Sequence, residues 1–146
     1  MFDSVLMVCA GNICRSPKAE YLLKRKVAAA NKAIHVSSAG LTAMKGHDAD
    51  HTAQSVSAER GVDMTPHKGR QICGELVASH SVILVMEESH LRDLHQRYPH
   101  ARGKAFLLGK WMNNQPIPDP YKQSREAFEH VYQLIDQATN AWLKYL

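Results

Sequence analysis

At 146 residues and 16.4 kDa the chain has the length of one domain, residues 1–146, and too little length for two sizeable cores. With 45% hydrophobic and 22% charged residues it has a globular composition, not a disordered one. Three cysteines exclude a disulfide-framework scaffold, the lack of any run of about 18 apolar residues excludes stable membrane insertion, and a net charge of +4, scattered over 18 basic and 14 acidic residues, is no nucleic-acid signature.

In chain order, Ser4 to Cys9 (SVLMVC) reads as a strand buried on both faces. A secretion signal or lipoprotein box is the rival reading of this segment. It lacks basic residues before the apolar run and carries Asp3, so a strand in a reduced, cytoplasmic protein is expected. Ser16-Pro17 reads as an N-cap followed by proline at the first helical position, with Ala19, Leu22, Leu23, Val27 and Ala30 at helical spacing. Ile34 to Ser38 is a second strand, Thr52 to Arg60 a weaker helix closed by Gly61, and Ser81 to Met86 a third strand. A charged helix over Glu88 to Arg97 stops before Pro99, and Lys104 to Leu108 is a fourth strand. Phe128, Val131, Tyr132, Ile135, Ala138, Trp142 and Leu146 form the apolar stripe of the last helix. Strands alternating with helices predict an α/β fold with a parallel sheet and helices on both faces. Ligands of such sheets bind beyond the carboxyl ends of the strands. The irregular stretches Leu41 to Ala49 and Trp111 to Lys122 are the loop candidates.

The first strand ends in Cys9-Ala10-Gly11-Asn12-Ile13-Cys14-Arg15-Ser16-Pro17, and a helix begins at the far end. Inward-facing N–H groups of such a loop, joined to a helix N-terminus, form an anion cradle. Gly11 permits a tight turn and Asn12 tolerates left-handed backbone. Arg15 can set a planar fork on two phosphate oxygens. Cys9 stands at the strand's carboxyl end, where amides, a helix N-terminus and a guanidinium all favour a thiolate. A thiolate beneath a bound phosphoryl group is a nucleophile already in position. Taken singly the features are weak, since a cysteine ending a strand is usually a small core residue and Ser16 usually a cap. The joint context of strand, Gly-Asn turn, Arg and Ser-Pro helix start carries the signal.

CAGNICRSP resembles the signature loop of the low-molecular-weight protein tyrosine phosphatases. Asp119-Pro120-Tyr121 resembles that family's general-acid motif, and Ser38-Ala39-Gly40, His67 to Gln71 and Met86-Glu87-Glu88 continue the match. The resemblance implies a flavodoxin-like three-layer sandwich around four parallel strands. It implies Cys9 as the nucleophile that forms a cysteinyl-phosphate, Arg15 as the phosphate and transition-state binder, and Ser16 as the hydroxyl that steadies the thiolate. Ala10, Gly11, Asn12, Ile13 and Cys14 would form the phosphate-binding loop. Asp119 would protonate the leaving phenolate and then activate water. Asn12, Ser38 and His67 would hold the loop's shape, and Ile13, Leu41 and Tyr121 would wall a phosphotyrosine slot. Chemistry agrees, because a phenolate leaves more easily when protonated, and arginine with amides supplies the positive field without metal or cofactor.

Lys122, after Asp119-Pro120-Tyr121, and Leu41 stand where many members carry aromatics. Both resemble the bacterial branch that pairs with tyrosine autokinases controlling capsule or exopolysaccharide export. A phosphotyrosine protein, such as that kinase, is the implied partner of a monomeric enzyme. For Cys14 two readings stand: packing, or by resemblance a protective disulfide with oxidised Cys9. Cys73 reads as a passive thiol.

Three rivals make different demands. A thioredoxin-coupled arsenate reductase needs a relay of further cysteines, and Cys73 stands alone. A silent phosphotyrosine-binding module would not need Cys9 and Asp119 together. A metal protein would need ligand spacing that Cys9 and Cys14 lack. His47-Asp48-Ala49-Asp50-His51 has the right residue types, and His90, His95 and His100 recur every five residues; both read as surface histidines.

Overall fold

β1 (Ser4–Cys9) is the hydrophobic axis of the molecule, with Val5, Leu6, Met7 and Val8 all fully buried. The structure, a computed structural model, describes residues 2–146. Around β1 follow α1 (Arg15–Ala29), β2 (His35–Gly40), α2 (His51–Ala58), α3 (Gly74–Ser79), β3 (Val82–Val85), α4 (Glu88–Arg97), β4 (Ala105–Leu107) and α5 (Arg125–Leu143). The four strands form one parallel sheet in the order β2-β1-β3-β4, with Cys9 opposite Gly40 at the β1–β2 edge of the register.

Alternation along the strands divides the core in two. Val5, Met7 and Cys9 of β1, with Val82 and Leu84 of β3, face Leu22, Leu23 and Val27 of α1 and Phe128, Ile135 and Trp142 of α5. Leu6, Val8, Ile83 and Val85 face Val77 of α3, Leu94 of α4 and Ala101. This is the three-layer α/β sandwich with a flavodoxin-like sheet order. Each leucine-sized side chain so buried stabilises the fold by roughly 1.5–3 kcal/mol. The total exposed area is 7161 Å², close to what surface scaling gives for this mass. No helix among the described residues is long and apolar enough to cross a membrane.

The chain leaves β1 for β2 on one side and returns to β3 on the other, so the sheet's switch point lies at the carboxyl end of β1. The fold therefore opens a crevice where Cys9 ends its strand. Gly40 closes the β2 side of it: a Cβ there would meet the Ala10 carbonyl oxygen at 2.5 Å.

Several expectations shift. α1 begins at Arg15 with Cys14 at its cap position, and no side chain caps it. Ser16 is not the N-cap, because its hydroxyl meets Cys9 Sγ and accepts from Asn12 Nδ2. α2 starts one residue earlier than expected and ends at Ala58, capped by Asp50, whose side chain accepts from Ala53 N at 3.0 Å. α3 was not anticipated, since six residues with one buried side chain, Val77, show no periodicity. β2 extends to Gly40, β3 and β4 are shorter than the apolar runs, and a 3-10 turn at Pro99–Ala101 follows α4. The histidine reading holds for His47, His51 and His100, which are exposed, but His90 is buried and His95 half-buried with its Nε2 inside.

Candidate active site

The loop after β1 is shaped by what its carbonyls accept. Cys9 O takes the Leu41 N–H (2.9 Å), Ala10 O that of Thr42 (3.0 Å), Gly11 O that of Met44 (2.9 Å) and Ile13 O that of Asp50 (2.8 Å). Asn12 O accepts from His67 Nε2 at 2.6 Å, which fixes that nitrogen as the protonated one. All these partners lie outside the loop. Peptide planarity then turns the amides of residues 10–14 to the opposite side, toward the cavity. Asn12 has φ 60°, the left-handed kink that makes this possible.

The cavity, of about 90 Å³, is lined by Cys9, Gly11, Asn12, Ile13, Cys14, Arg15, Met44, Asp119 and Tyr121. Cys9 Sγ lies 2.9 Å from Ser16 Oγ. Asn12 Nδ2 donates to Ser16 Oγ at 2.8 Å and to Ser38 Oγ at 3.0 Å. Ser38 thus sits behind the loop, and buried His67 props it from below. Ala10 is exposed and offers only its backbone.

Arg15 crosses one side of the cavity, almost wholly buried. Its Nη1 is bound to the Glu87 carboxylate and donates to Ile117 O at 2.8 Å. With Nη1 so tied, Nε and Nη2 form the free edge of the guanidinium, the edge suited to two oxygens of one phosphate. Asp119 Oδ2 is 3.9 Å from Nη2. The other carboxylate oxygen of Asp119 accepts from Tyr121 N at 3.0 Å, a local turn that holds it at the rim. His90 Nε2 lies 3.7 Å from Glu87, and burial, reinforced by Arg15, pushes His90 below the usual histidine range.

Most of the expected residues therefore meet at one place. Leu41 does not: it is buried in the α3–α4 half of the core, among Val8, Ala39 and Ile72, and lines no part of the cavity. Its backbone serves the loop, and the wall it was expected to form belongs to Met44. The sequence reading also missed Glu87 and the Ile117 carbonyl. Glu87 was visible only as part of a motif, and a backbone carbonyl has no sequence signal. Cys14 is buried, and burial together with Asp50 pushes its thiol far up, so it stays protonated. Cys73 is exposed, and all three cysteines are free. Among the described residues no three metal-ligating side chains converge.

A sandwich whose switch point carries an amide-lined anion bowl, with a thiol on its floor and a free arginine edge beside it, defines a phosphate-handling enzyme of the cysteine-loop type. Residues 4–146 match the family described as low molecular weight phosphotyrosine protein phosphatase, and the chain belongs to that family. It is 44% identical over 146 residues to the low molecular weight protein-tyrosine-phosphatase Wzb of Escherichia coli, covering 100% of this chain and 97% of that protein. It is 44% identical to the probable phosphatase AmsI of Erwinia amylovora, covering 100% and 99%. The solved structure of Vibrio vulnificus Wzb in complex with benzylphosphonate superposes with a TM-score of 0.95 at 43% identity, over 100% of both chains. The chain is a protein-tyrosine phosphatase.

Proposed function

We propose that Cys9 attacks the phosphorus of a phosphotyrosine as the thiolate, forming the S–P bond while the bond to the tyrosyl oxygen breaks. The observation that carries this reading is Cys9 Sγ on the cavity floor, hydrogen-bonded to Ser16 Oγ and overlooked by Asp119 on the rim. Asp119 gives its proton to the departing phenolate. Arg15 and the amides of Ala10, Gly11, Asn12, Ile13 and Cys14 hold the equatorial oxygens as charge builds. In the second step water attacks the phosphorus, Asp119 takes its proton, and the Cys9 thiolate leaves with Ser16 donating to it. Asn12, Ser38 and His67 keep the loop in place. Ile13, Met44 and Tyr121 grip the aromatic ring, which favours phosphotyrosine over the shorter phosphoserine.

The substrate proposed is a bacterial tyrosine autokinase that controls capsule or exopolysaccharide production. Support comes from the similarity to Wzb and AmsI and from Lys122 after Asp119-Pro120-Tyr121. The enzyme is proposed to work as a single-domain monomer in the cytoplasm, where a reducing environment keeps Cys9 a thiol.

Hydrolysis of a phosphotyrosine peptide beside a phosphoserine peptide, in EDTA, tests this for wild type and Cys9→Ser. Turnover confined to phosphotyrosine and absent in the variant is expected. Turnover that survives the substitution, or that fails without added metal, would overturn the reading.

A further inference from the structure

On the far side of the loop from the cavity, a second groove opens between α1, the start of β2 and the segment 66–70. Glu20 lies in it, buried, with Lys24, His35, His67, Lys68 and Arg70 around it. The mechanism above gives Glu20 no part. Yet an unbroken chain of hydrogen bonds joins its carboxylate to Cys9. Glu20 Oε1 accepts from Ser38 Oγ at 2.5 Å, Ser38 Oγ from Asn12 Nδ2 at 3.0 Å, and Ser16 Oγ from the same Nδ2 at 2.8 Å. Ser16 Oγ is 2.9 Å from Cys9 Sγ.

The donor inventory gives this chain a direction. The Asn12 amide is pinned, because its Oδ1 accepts from the Arg70 backbone N–H at 2.8 Å, so both Nδ2 protons face the serines. A carboxylate only accepts. Ser38 therefore gives its one proton to Glu20 and keeps a lone pair for Asn12. Asn12 fills a lone pair on Ser16, and the Ser16 proton is left for Cys9. A sulfur offered a donor is favoured as the thiolate. Without Glu20 the Ser38 hydroxyl loses its acceptor and turns, its bond from Asn12 weakens, and Ser16 is no longer aligned.

We infer that Glu20 is a positioning residue that sets the polarity of the Ser38–Asn12–Ser16 chain, so that Ser16 donates to the Cys9 thiolate. This rests on the proposed role of Cys9 as nucleophile. The charge of Glu20 alone would act the opposite way, since a second anion disfavours a thiolate. Lys24 Nζ, 2.5 Å from the other Glu20 oxygen, offsets that charge. The sign of the effect thus separates a hydrogen-bond role from a Coulombic one.

The test is the rate of Cys9 alkylation by iodoacetamide against pH, read by mass spectrometry of the Cys9 peptide. It is run beside the pH profile of phosphotyrosine-peptide hydrolysis. Glu20→Leu is expected to move the alkylation midpoint upward by about one pH unit, the worth of roughly one hydrogen bond to a charged group. The acid limb of kcat/KM moves with it. Ser38→Ala gives a similar upward shift, and the double variant no larger one, because both cut the same chain. Lys24→Met moves the midpoint little. A midpoint that is unmoved or falls in Glu20→Leu, additive shifts in the double variant, or an equal shift in Lys24→Met would each overturn the inference. Alkylation needs no turnover. A wild type that hydrolyses no phosphotyrosine would thus sink the functional reading, and the midpoints would still decide the role of Glu20.

Discussion

The floor and the rim of the cavity are built by opposite means. On the floor, Cys9 is 3% exposed and Asn12 and Ser16 not at all, and each polar atom there has a named partner. On the rim, the Asp119 side chain is 52% exposed, held by one backbone amide and a 3.9 Å approach to Arg15. Tyr121 beside it is 36% exposed. The difference fits the chemistry proposed above. A nucleophile and an anion bowl act by being preorganised, and reorganisation there would raise the barrier. An acid that must reach a leaving oxygen, and later a water, gains from a loop position that lets substrate in.

Substitutions along this gradient should separate the two halves. Cys9→Ser is expected to lower kcat on the order of 10⁵-fold while phosphate still binds, measured by steady-state turnover and phosphate titration. Asp119→Ala should cost about 10²- to 10⁴-fold with poor phenolate leaving groups and far less with good ones. Equal losses across a leaving-group series would contradict the acid role. Glu87→Ala frees Arg15 Nη1 from one of two partners, and a roughly tenfold fall in kcat/KM is expected, with a weaker inhibition constant for phosphate.

The walls give a finer contrast. Met44→Ala should raise KM for a phosphotyrosine peptide and leave thermal stability nearly unchanged. Leu41→Ala should do the reverse, with a loss of about 2–5 kcal/mol in denaturant unfolding, because it opens a hole in the core rather than the slot. The smallest effect on activity belongs to Lys18, wholly buried beneath the first turn of α1. Its Nζ lies 5.4 Å above the Tyr132 ring and 6.0 Å from that of Phe128, with no hydrogen-bond partner among the described residues. Burial pushes its ammonium from the ordinary 10.5 down to about 8. Between those values the unfolded chain binds the proton more tightly than the folded one, so stability rises with pH across that window. Below pH 8 both states are protonated and the full burial cost is present. Lys18→Met is therefore expected to stabilise the protein at pH 7, by at most about 3 kcal/mol, and the gain over wild type should shrink above pH 8.

What the sequence made legible follows the same division. The strands were plain in the apolar runs, and the bowl was plain in CAGNICRSP, because a strand–loop–helix cradle is contiguous in the chain. Asp119 and Tyr121, more than 100 residues on, were reached through the family resemblance alone. Contacts made by side chains of ordinary type escaped. Glu20 looks like any helix carboxylate until Ser38 is seen beside it, and Lys18 looks like surface until α5 covers it. Leu41 was placed in the slot by the family resemblance. The structure turns its side chain into the core, since β2 runs on to Gly40 and carries the next residue under the sheet. The local pattern, Ser before Pro, reads Ser16 as a cap, while the family resemblance reads it as the hydroxyl beside the thiol; its hydroxyl is held by Asn12 and Cys9 and caps nothing.

The central claim is that phosphate passes through the Cys9 sulfur. Rapid acid quench of the enzyme during hydrolysis of a phosphotyrosine peptide, followed by mass spectrometry of the Cys9 peptide, tests it most directly. The account predicts phosphate on Cys9, and its accumulation in Asp119→Ala when an aryl phosphate with a good leaving group replaces the peptide, since the first step then needs no acid while the second still needs a base. Turnover with Cys9 unmodified throughout, or phosphate found on another side chain, would contradict it.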